Sequence, residues 1–195
     1  MSFGCCLIKP LKGRKSISQI LAHYNQNKKC FVRCVLNYYS GLATFQDVLS
    51  EAGKFHMDVL HCDPHQRRIY GTAKVNFANA LQNASAQLQT CPDFSTLYLC
   101  LEKNCKPSGI GELAIYDTAM RIGAYLGKIK GTSNAFFPND VYLHNGAMVG
   151  AQNLHRKNML TKPTSQMQTS AFARLFPNQQ AWEIEEILCI YKSNF

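Results

Sequence analysis

The chain has 195 residues, 46% of them hydrophobic, with eleven Phe against seven Pro, which excludes a disordered or fibrous protein and predicts a packed globular core. Its 21 Lys and Arg against 12 Asp and Glu leave a formal net charge of +9, which points to polyanions as partners: nucleic acid, an anionic membrane surface or an acidic protein. Nine cysteines, an odd count, follow a start with only a short apolar patch at Cys5 to Ile8, and no run approaches the ~20 apolar residues of a membrane span; the expectation is a cytoplasmic protein with reduced thiols.

The pattern predicts a mostly α-helical fold, a compact multi-helix domain. Residues 1–15 carry Lys9, Lys12, Arg14 and Lys15 around Pro10 and Gly13 and read as a basic arm. Ser16 caps a short helix through Gln26, with Ile17, Ile20 and Leu21 on one face. Phe31 to Tyr39 fits helix or strand, and helix is favoured. Thr44 caps the segment FQDVLSEAG, where Phe45, Val48 and Leu49 recur at helical spacing and Gly53 supplies the stop. A loop with Asp63 and Pro64 follows, then the run HQRRIYG. Ala73 to Gln89 carries the stripe Val75, Phe77, Ala78, Leu81, Ala84, Leu88 and predicts one helix; Asp93 or Ser95 opens another over Leu97 to Lys103, ended before Pro107.

Glu112 to Leu126 is the clearest helix, with Leu113, Tyr116, Ala119, Met120, Gly123 and Leu126 at the 3.6-residue period and Gly127 as its stop. Residues 128–140 read as a loop leading into the strand-like VYLH and a second glycine-rich turn at Gly146 to Gly150. Residues 155–170 turn polar, with Pro163, and read as a linker or surface loop. A last amphipathic helix near Gln179 to Tyr191 lies in a segment, 171–195, expected to pack on a core of residues 16–154. No repeat is visible beyond the echo between the two glycine segments.

The run PSGIGELAIYDTAMRIGAYLG sets two glycines around Ile110 and then opens a long helix. Glycines let a backbone approach a ligand closely, and the unbonded amides and dipole at a helix start favour an anion such as phosphate. On these residues the segment resembles the helix-hairpin-helix family, in which a helix, a Gly-hydrophobic-Gly hairpin and a second helix hold nucleic-acid backbones without reading sequence. The resemblance implies a first helix at Leu97 to Lys103, a hairpin within 107–112 and a second helix at Glu112 to Leu126. Its implied contacts are Lys106, Ser108, Gly109, Ile110 and Gly111, with Lys103, Lys128 and Lys130 as nearby cations and Arg67 and Arg68 as further phosphate contacts. Glu112 opposes an incoming phosphate. Gly146 and Gly150 fit either a pseudo-twofold partner hairpin or small residues that permit tight helix packing. The pieces HQRRI and VYLHNGAMVGA, taken with the hairpin, resemble segments of small bacterial proteins, a likeness that supplies no activity.

An enzyme is the more distant reading. The resemblance to helix-hairpin-helix DNA glycosylases implies a catalytic Asp roughly five helical turns past the hairpin, where this chain has Ile129; Asp117 comes too early and Asp140 too late. Asp117 and Arg121 suit an i,i+4 pair instead. His65, Asp117, Arg121 and His144 are the candidates for an acid-base cluster, with a core role for His144 as the plainer alternative. The window HMDVLHCDPHQRR holds His56, His61, Cys62 and His65, which are metal-ligand types without C-x-x-C or H-E-x-x-H spacing, so neither metal nor cofactor is expected. The remaining cysteines, among them Cys30 with Cys34 and Cys100 with Cys105, read as buried small hydrophobes.

The C-terminal AWEIEEILCIYKSNF carries Glu183, Glu185 and Glu186 near an apolar end and resembles the acidic block of type IV secretion substrates, which implies translocation into a host cell and a host-protein partner; an ordinary amphipathic helix explains the same letters. The leading expectation is non-sequence-specific binding of nucleic acid, duplex DNA above all. The alternatives are a secreted effector or interaction module without that affinity, and a nucleic-acid-processing enzyme of glycosylase type.

Overall fold

A computed structural model of the chain describes residues 8–28, 36–54 and 71–195. Among them the backbone is mostly helical, with one two-stranded sheet. They fall into two compact units, one of residues 36–54 and 71–137, the other of residues 8–28 and 138–195.

The first unit contains α1-independent segments only: a short helix at Asn37–Ser40, then Phe45–Lys54, Gly71–Asn83, Ser85–Thr90, Phe94–Asn104 and Glu112–Ile129, closed by a 3-10 turn at Ser133–Phe136. With Ile17–Asn27 of the other unit as α1, these helices are α2 to α7 in chain order. Local signals set their starts. Thr44 and Asp47 exchange hydrogen bonds in front of α3, the Asp47 amide donating to Thr44 Oγ1 and the Thr44 amide to Asp47 Oδ2, each at 3.1 Å. Asp93 caps α6 by accepting from the Thr96 amide at 2.8 Å. Helix α7 is buried nearly all round from Ala114 to Gly127 because α2, α3, α6 and the 3-10 turn pack on its different sides.

Two expected helix stops are contact points instead. Gly53 lies inside α3, and a Cβ there would sit 2.9 Å from the Ala78 Cβ, so the missing side chain lets α3 and α4 approach. Gly127 lies inside α7, where a Cβ would meet the Ser133 Cα at 2.8 Å, and the helix runs on to Ile129. The single helix expected from Ala73 to Gln89 is two, α4 and α5, meeting at Ala84. Of the expected stripe, Phe77, Leu81, Ala84 and Leu88 stay buried across the break, while Ala78 is half-buried and Val75 is exposed. Of the segment Phe31 to Tyr39, residues 31–35 lie outside the described residues, and α2 begins at Asn37.

In the second unit α1 starts as its sequence predicts: Ser16 accepts from the Gln19 amide, and Gln19 Oε1 accepts from the Ser16 amide at 3.0 Å. Strands β1 (Asp140–Tyr142) and β2 (Gln166–Gln168) pair antiparallel, Val141 opposite Met167. Helices α8 (Asn145–Arg156) and α9 (Ala181–Ile190) pack together over a core that includes Ile20, Tyr24, Val141, Leu154, Phe172, Ile184 and Tyr191. Three expectations change here. Residues 155–170 are not a plain linker, since they hold the end of α8 and all of β2. Residues 128–140 are not one loop, since α7 extends into them and the 3-10 turn occupies their middle. Of the expected basic arm, residues 11–15 are tied down: buried Asn194 donates at 2.6 Å to the carbonyls of Leu11 and Gly13, and the Lys15 amide donates to the Asn194 carbonyl at 3.0 Å.

Candidate nucleic-acid interface

Between α6 and α7 the chain reverses through Pro107–Ile110. The Ile110 amide donates to the Pro107 carbonyl at 3.2 Å, and Gly109 sits at φ +91°, the left-handed third position that a type II turn requires. Ile110 turns inward and is 5% exposed, while Ser108, Gly109, Gly111 and Glu112 face solvent. A Cβ at Gly109 would touch the Ala73 Cβ at 3.1 Å; one at Gly111 would meet nothing within 4 Å. Gly111 is the residue flanking α7, with φ −85° and ψ 165°, and the first helical bonds run from the Ala114 and Ile115 amides back to its carbonyl. The amides of Gly111, Glu112 and Leu113 therefore precede the bonded ladder, at the positive end of the helix dipole.

The expected cations divide. Lys106 immediately precedes the hairpin but pairs with Glu102 at 3.2 Å, and Lys103 is exposed in the last turn of α6. Lys128 and Lys130 are at the far end of α7, about 27 Å away by the rise of an 18-residue helix. There Lys128 donates to the Ser40 carbonyl at 2.8 Å, and Lys130 donates to the Cys91 carbonyl at 2.6 Å with its ammonium over the Phe136 ring. Closeness in sequence across a helix is not closeness in space, and these two do not border the turn. Ala73 in the first turn of α4 faces Gly109, a neighbour the sequence did not suggest, and Lys74 follows it in the chain. Arg67 and Arg68 lie outside the described residues, as do His56, His61, Cys62 and His65.

Gly146 and Gly150 do not form a second hairpin. Both lie inside α8 on the face toward α9: a Cβ at Gly146 would sit 2.5 Å from Cys189 Sγ, and one at Gly150 would run into the Leu188 carbonyl oxygen. Spacing of four residues puts two small residues on one helix face, and the packing reading accounts for them.

The acid-base candidates are not gathered into one described cluster. Asp117 and Arg121 lie one turn apart on α7; Arg121 is buried, its guanidinium 5.8 Å from the centre of the Tyr39 ring. His144 belongs to the second unit, half-buried at the start of α8 and stacked on Tyr142 with 6.2 Å between ring centres. Among the described residues no three His, Cys, Asp or Glu side chains converge as a metal site, and no helix is long and apolar enough to cross a membrane.

A polar cluster that the sequence did not suggest joins α1 to α9. Lys28 pairs with Glu183 at 2.7 Å, the Tyr24 hydroxyl donates to Glu186 at 2.5 Å, and His23 Nδ1 and the Tyr191 hydroxyl share a hydrogen bond of 2.7 Å. Burial pushes Glu186 up to about 7, and burial and the Glu186 charge push Tyr191 up to about 12. Glu183 also accepts from the Gln180 amide at the start of α9. Two carboxylates of the acidic C-terminal stretch are thus engaged inside the unit, which is the ordinary-helix explanation of those letters.

In comparisons with known proteins, no protein-family model, curated protein or solved structure matches the chain.

Proposed function

We propose that the protein binds the backbone of nucleic acid, duplex DNA in the first place, without reading base sequence, and that the turn from Pro107 to Leu113 is the contact. One observation carries this reading: the turn buries Ile110 and leaves the residues Ser108, Gly109, Gly111 and Glu112 exposed at the start of an 18-residue helix. The apolar residue anchors the turn, and its glycines leave room for phosphate oxygens to approach the leading amides of α7. In this reading α6, the turn and α7 act as a helix-hairpin-helix-like element.

The electrostatics favour modest affinity. Glu112 repels a phosphate at the first turn of α7, and Glu102 engages Lys106, so Lys103 and Lys74 are the cations left to assist. Few phosphate contacts mean a shallow salt dependence, with log K falling by about 0.9 per contact for each unit of log salt. Backbone contacts of this sort fix position on the duplex and carry no base preference.

The test is fluorescence anisotropy of a labelled duplex across a salt series, comparing the wild type with Gly111→Asp. Asp suits the extended conformation of residue 111 and caps α7, so the variant folds at least as well as the wild type. Its carboxylate sits where the phosphate would go, and affinity should drop about tenfold or more, the equivalent of about 1.4 kcal/mol. Absence of wild-type binding at low salt, or equal binding by a folded Gly111→Asp, overturns the proposal.

A further inference from the structure

Helices α5 and α6 bring two cysteines together by a simple register. The Asn104 side-chain amide donates through Nδ2 to Gln87 Oε1 at 3.2 Å, which sets Gln87 of α5 against Asn104 of α6. One turn nearer the connection, at i+4 from Gln87 and i−4 from Asn104, stand Cys91 and Cys100. The same Asn104 amide donates to Cys100 Sγ at 3.4 Å, the Cys91 thiol donates to the Gln87 carbonyl at 3.4 Å, and the Cys100 side chain acts electrostatically on the Cys91 thiol. All three cysteines of this region, Cys91, Cys100 and Cys105, are free thiols.

They differ in access. Cys100 is half-buried and opens to solvent, Cys91 is 4% exposed and Cys105 is 1% exposed. Burial, then the Cys100 side chain, pushes the Cys91 thiol up to about 11, and burial pushes Cys105 up to about 12. Cys105 is directed elsewhere, its thiol donating to the Ala80 carbonyl at 3.6 Å.

We propose that Cys91 and Cys100 are an oxidation site, with Cys100 the thiol attacked by peroxide and Cys91 the partner that closes a disulfide across the α5–α6 connection. The Cys100 thiolate attacks one oxygen of hydrogen peroxide; the O–O bond breaks, Cys100 becomes a sulfenic acid and hydroxide leaves. Cys91 sulfur then attacks the Cys100 sulfur, the S–O bond breaks, and the departing hydroxide takes the Cys91 proton as water. Overall two thiols and one peroxide give one disulfide and two waters. The Lys130 ammonium, 2.6 Å from the Cys91 carbonyl, favours the Cys91 thiolate as it forms. The buried thiol is protected from direct oxidation and reacts only through its neighbour, which makes the change reversible by a thiol reductant.

The full chain is treated with hydrogen peroxide, alkylated without reduction, and digested with chymotrypsin, which cuts at Phe94 and Tyr98 between the two cysteines. Mass mapping should show a Cys91 peptide joined to a Cys100 peptide, two hydrogens lighter than their sum and lost on reduction with dithiothreitol. Cys105→Ser should leave the linked species in place, and in Cys91→Ser the oxidised Cys100 should be captured by dimedone. The wild-type map needs no variant to fold and decides by itself. Alkylation of both Cys91 and Cys100 after peroxide, or a Cys100 linkage to any other cysteine, overturns the proposal.

Discussion

The Tyr24 hydroxyl donates to the Glu186 carboxylate at 2.5 Å across 162 positions of sequence, joining α1 to α9. Glu186 is half-buried, and its surroundings oppose one another: burial raises its pKa, the Tyr24 hydrogen bond lowers it, the Glu183 charge raises it and the Lys28 charge lowers it, with a balance at about 7. An unfolded Glu titrates near ~4.3, so the folded chain holds this proton more tightly. The contribution to stability is therefore complete below about pH 4.5, declines as pH rises and is lost above about 7. Glu186→Gln keeps an oxygen to accept from Tyr24 and removes the charge. Urea midpoints at about pH 5 and about pH 8 should show the wild type losing on the order of 2 kcal/mol relative to the variant over that interval. A wild type that gains on the variant as pH rises has Glu186 preferring its ionised form, and the argument is wrong.

Gly150 and Gly146 occupy the same face of α8 and should respond differently to a methyl group. At Gly150 the new Cβ overlaps the Leu188 carbonyl oxygen and lies 2.9 Å from the Leu188 carbonyl carbon, atoms of the α9 backbone that do not rotate away. At Gly146 the obstacle is Cys189 Sγ, the end of a side chain that does. Alanine favours a helix over glycine by about 1 kcal/mol, while overpacking costs about 1–3 kcal/mol. With the helix gain subtracted, Gly150→Ala should destabilise by up to about 2 kcal/mol, and Gly146→Ala should fall between neutral and about 1 kcal/mol more stable in chemical denaturation. A stabilised Gly150→Ala would show that the two helices do not meet there.

What could be read in the sequence was local. The Ser16 cap, the helix start at Asp93 or Ser95 and the period of α7 are each set within a few residues, and the structure places helix starts at Ser16, at Asp93 and at Gly111. What could not be read was whatever depended on an opposing element. Gly53 and Gly127 look like stops because sequence shows a missing side chain and not the Ala78 or Ser133 that fills the space; for Gly146 and Gly150 close helix packing was legible as one of two readings, but not Cys189 and Leu188 as what they pack on. Strand β2 is the three residues QMQ and exists through pairing with β1; one apolar residue between two polar ones is too short an alternation to announce it. At the candidate interface the turn itself was legible from Pro107 and its glycines. Its surroundings were not, since Lys128 and Lys130 follow α7 away from it and Ala73, with Lys74 after it in the chain, arrives with α4.

Asn194 is fully buried and holds residues 11–15 through three bonds, two from its amide and one to its carbonyl. Asn194→Ala keeps the backbone bond and leaves the carbonyls of half-buried Leu11 and exposed Gly13 to water in place of their donor, a loss of about 0.5–1.5 kcal/mol per bond. Lys12 and Arg14 are exposed in the same segment, and their cleavage requires the backbone to leave its bonds. Limited trypsin digestion should cut at Lys12 and Arg14 faster in Asn194→Ala than in the wild type. Equal rates would mean that the segment opens independently of Asn194.

Gly109 and Gly111 flank Ile110 symmetrically in sequence, yet their backbones are opposite cases. Gly109 has φ +91° and its α-carbon faces Ala73, so a side chain there is strained by conformation and crowded by a neighbour 3.1 Å away. Gly109→Ala should cost about 1–3 kcal/mol. Gly111 has φ −85° with open space around it and stands at the start of α7 without a side-chain cap. Gly111→Ser supplies a hydroxyl to accept from the exposed amides and should stabilise by a few tenths of a kcal/mol, about 1 at most. Thermal unfolding of the two variants measures the difference in sign. Equal destabilisation would mean that Gly111 also needs a conformation or a clearance that serine lacks, and the assignment of it as a simple helix start would fail.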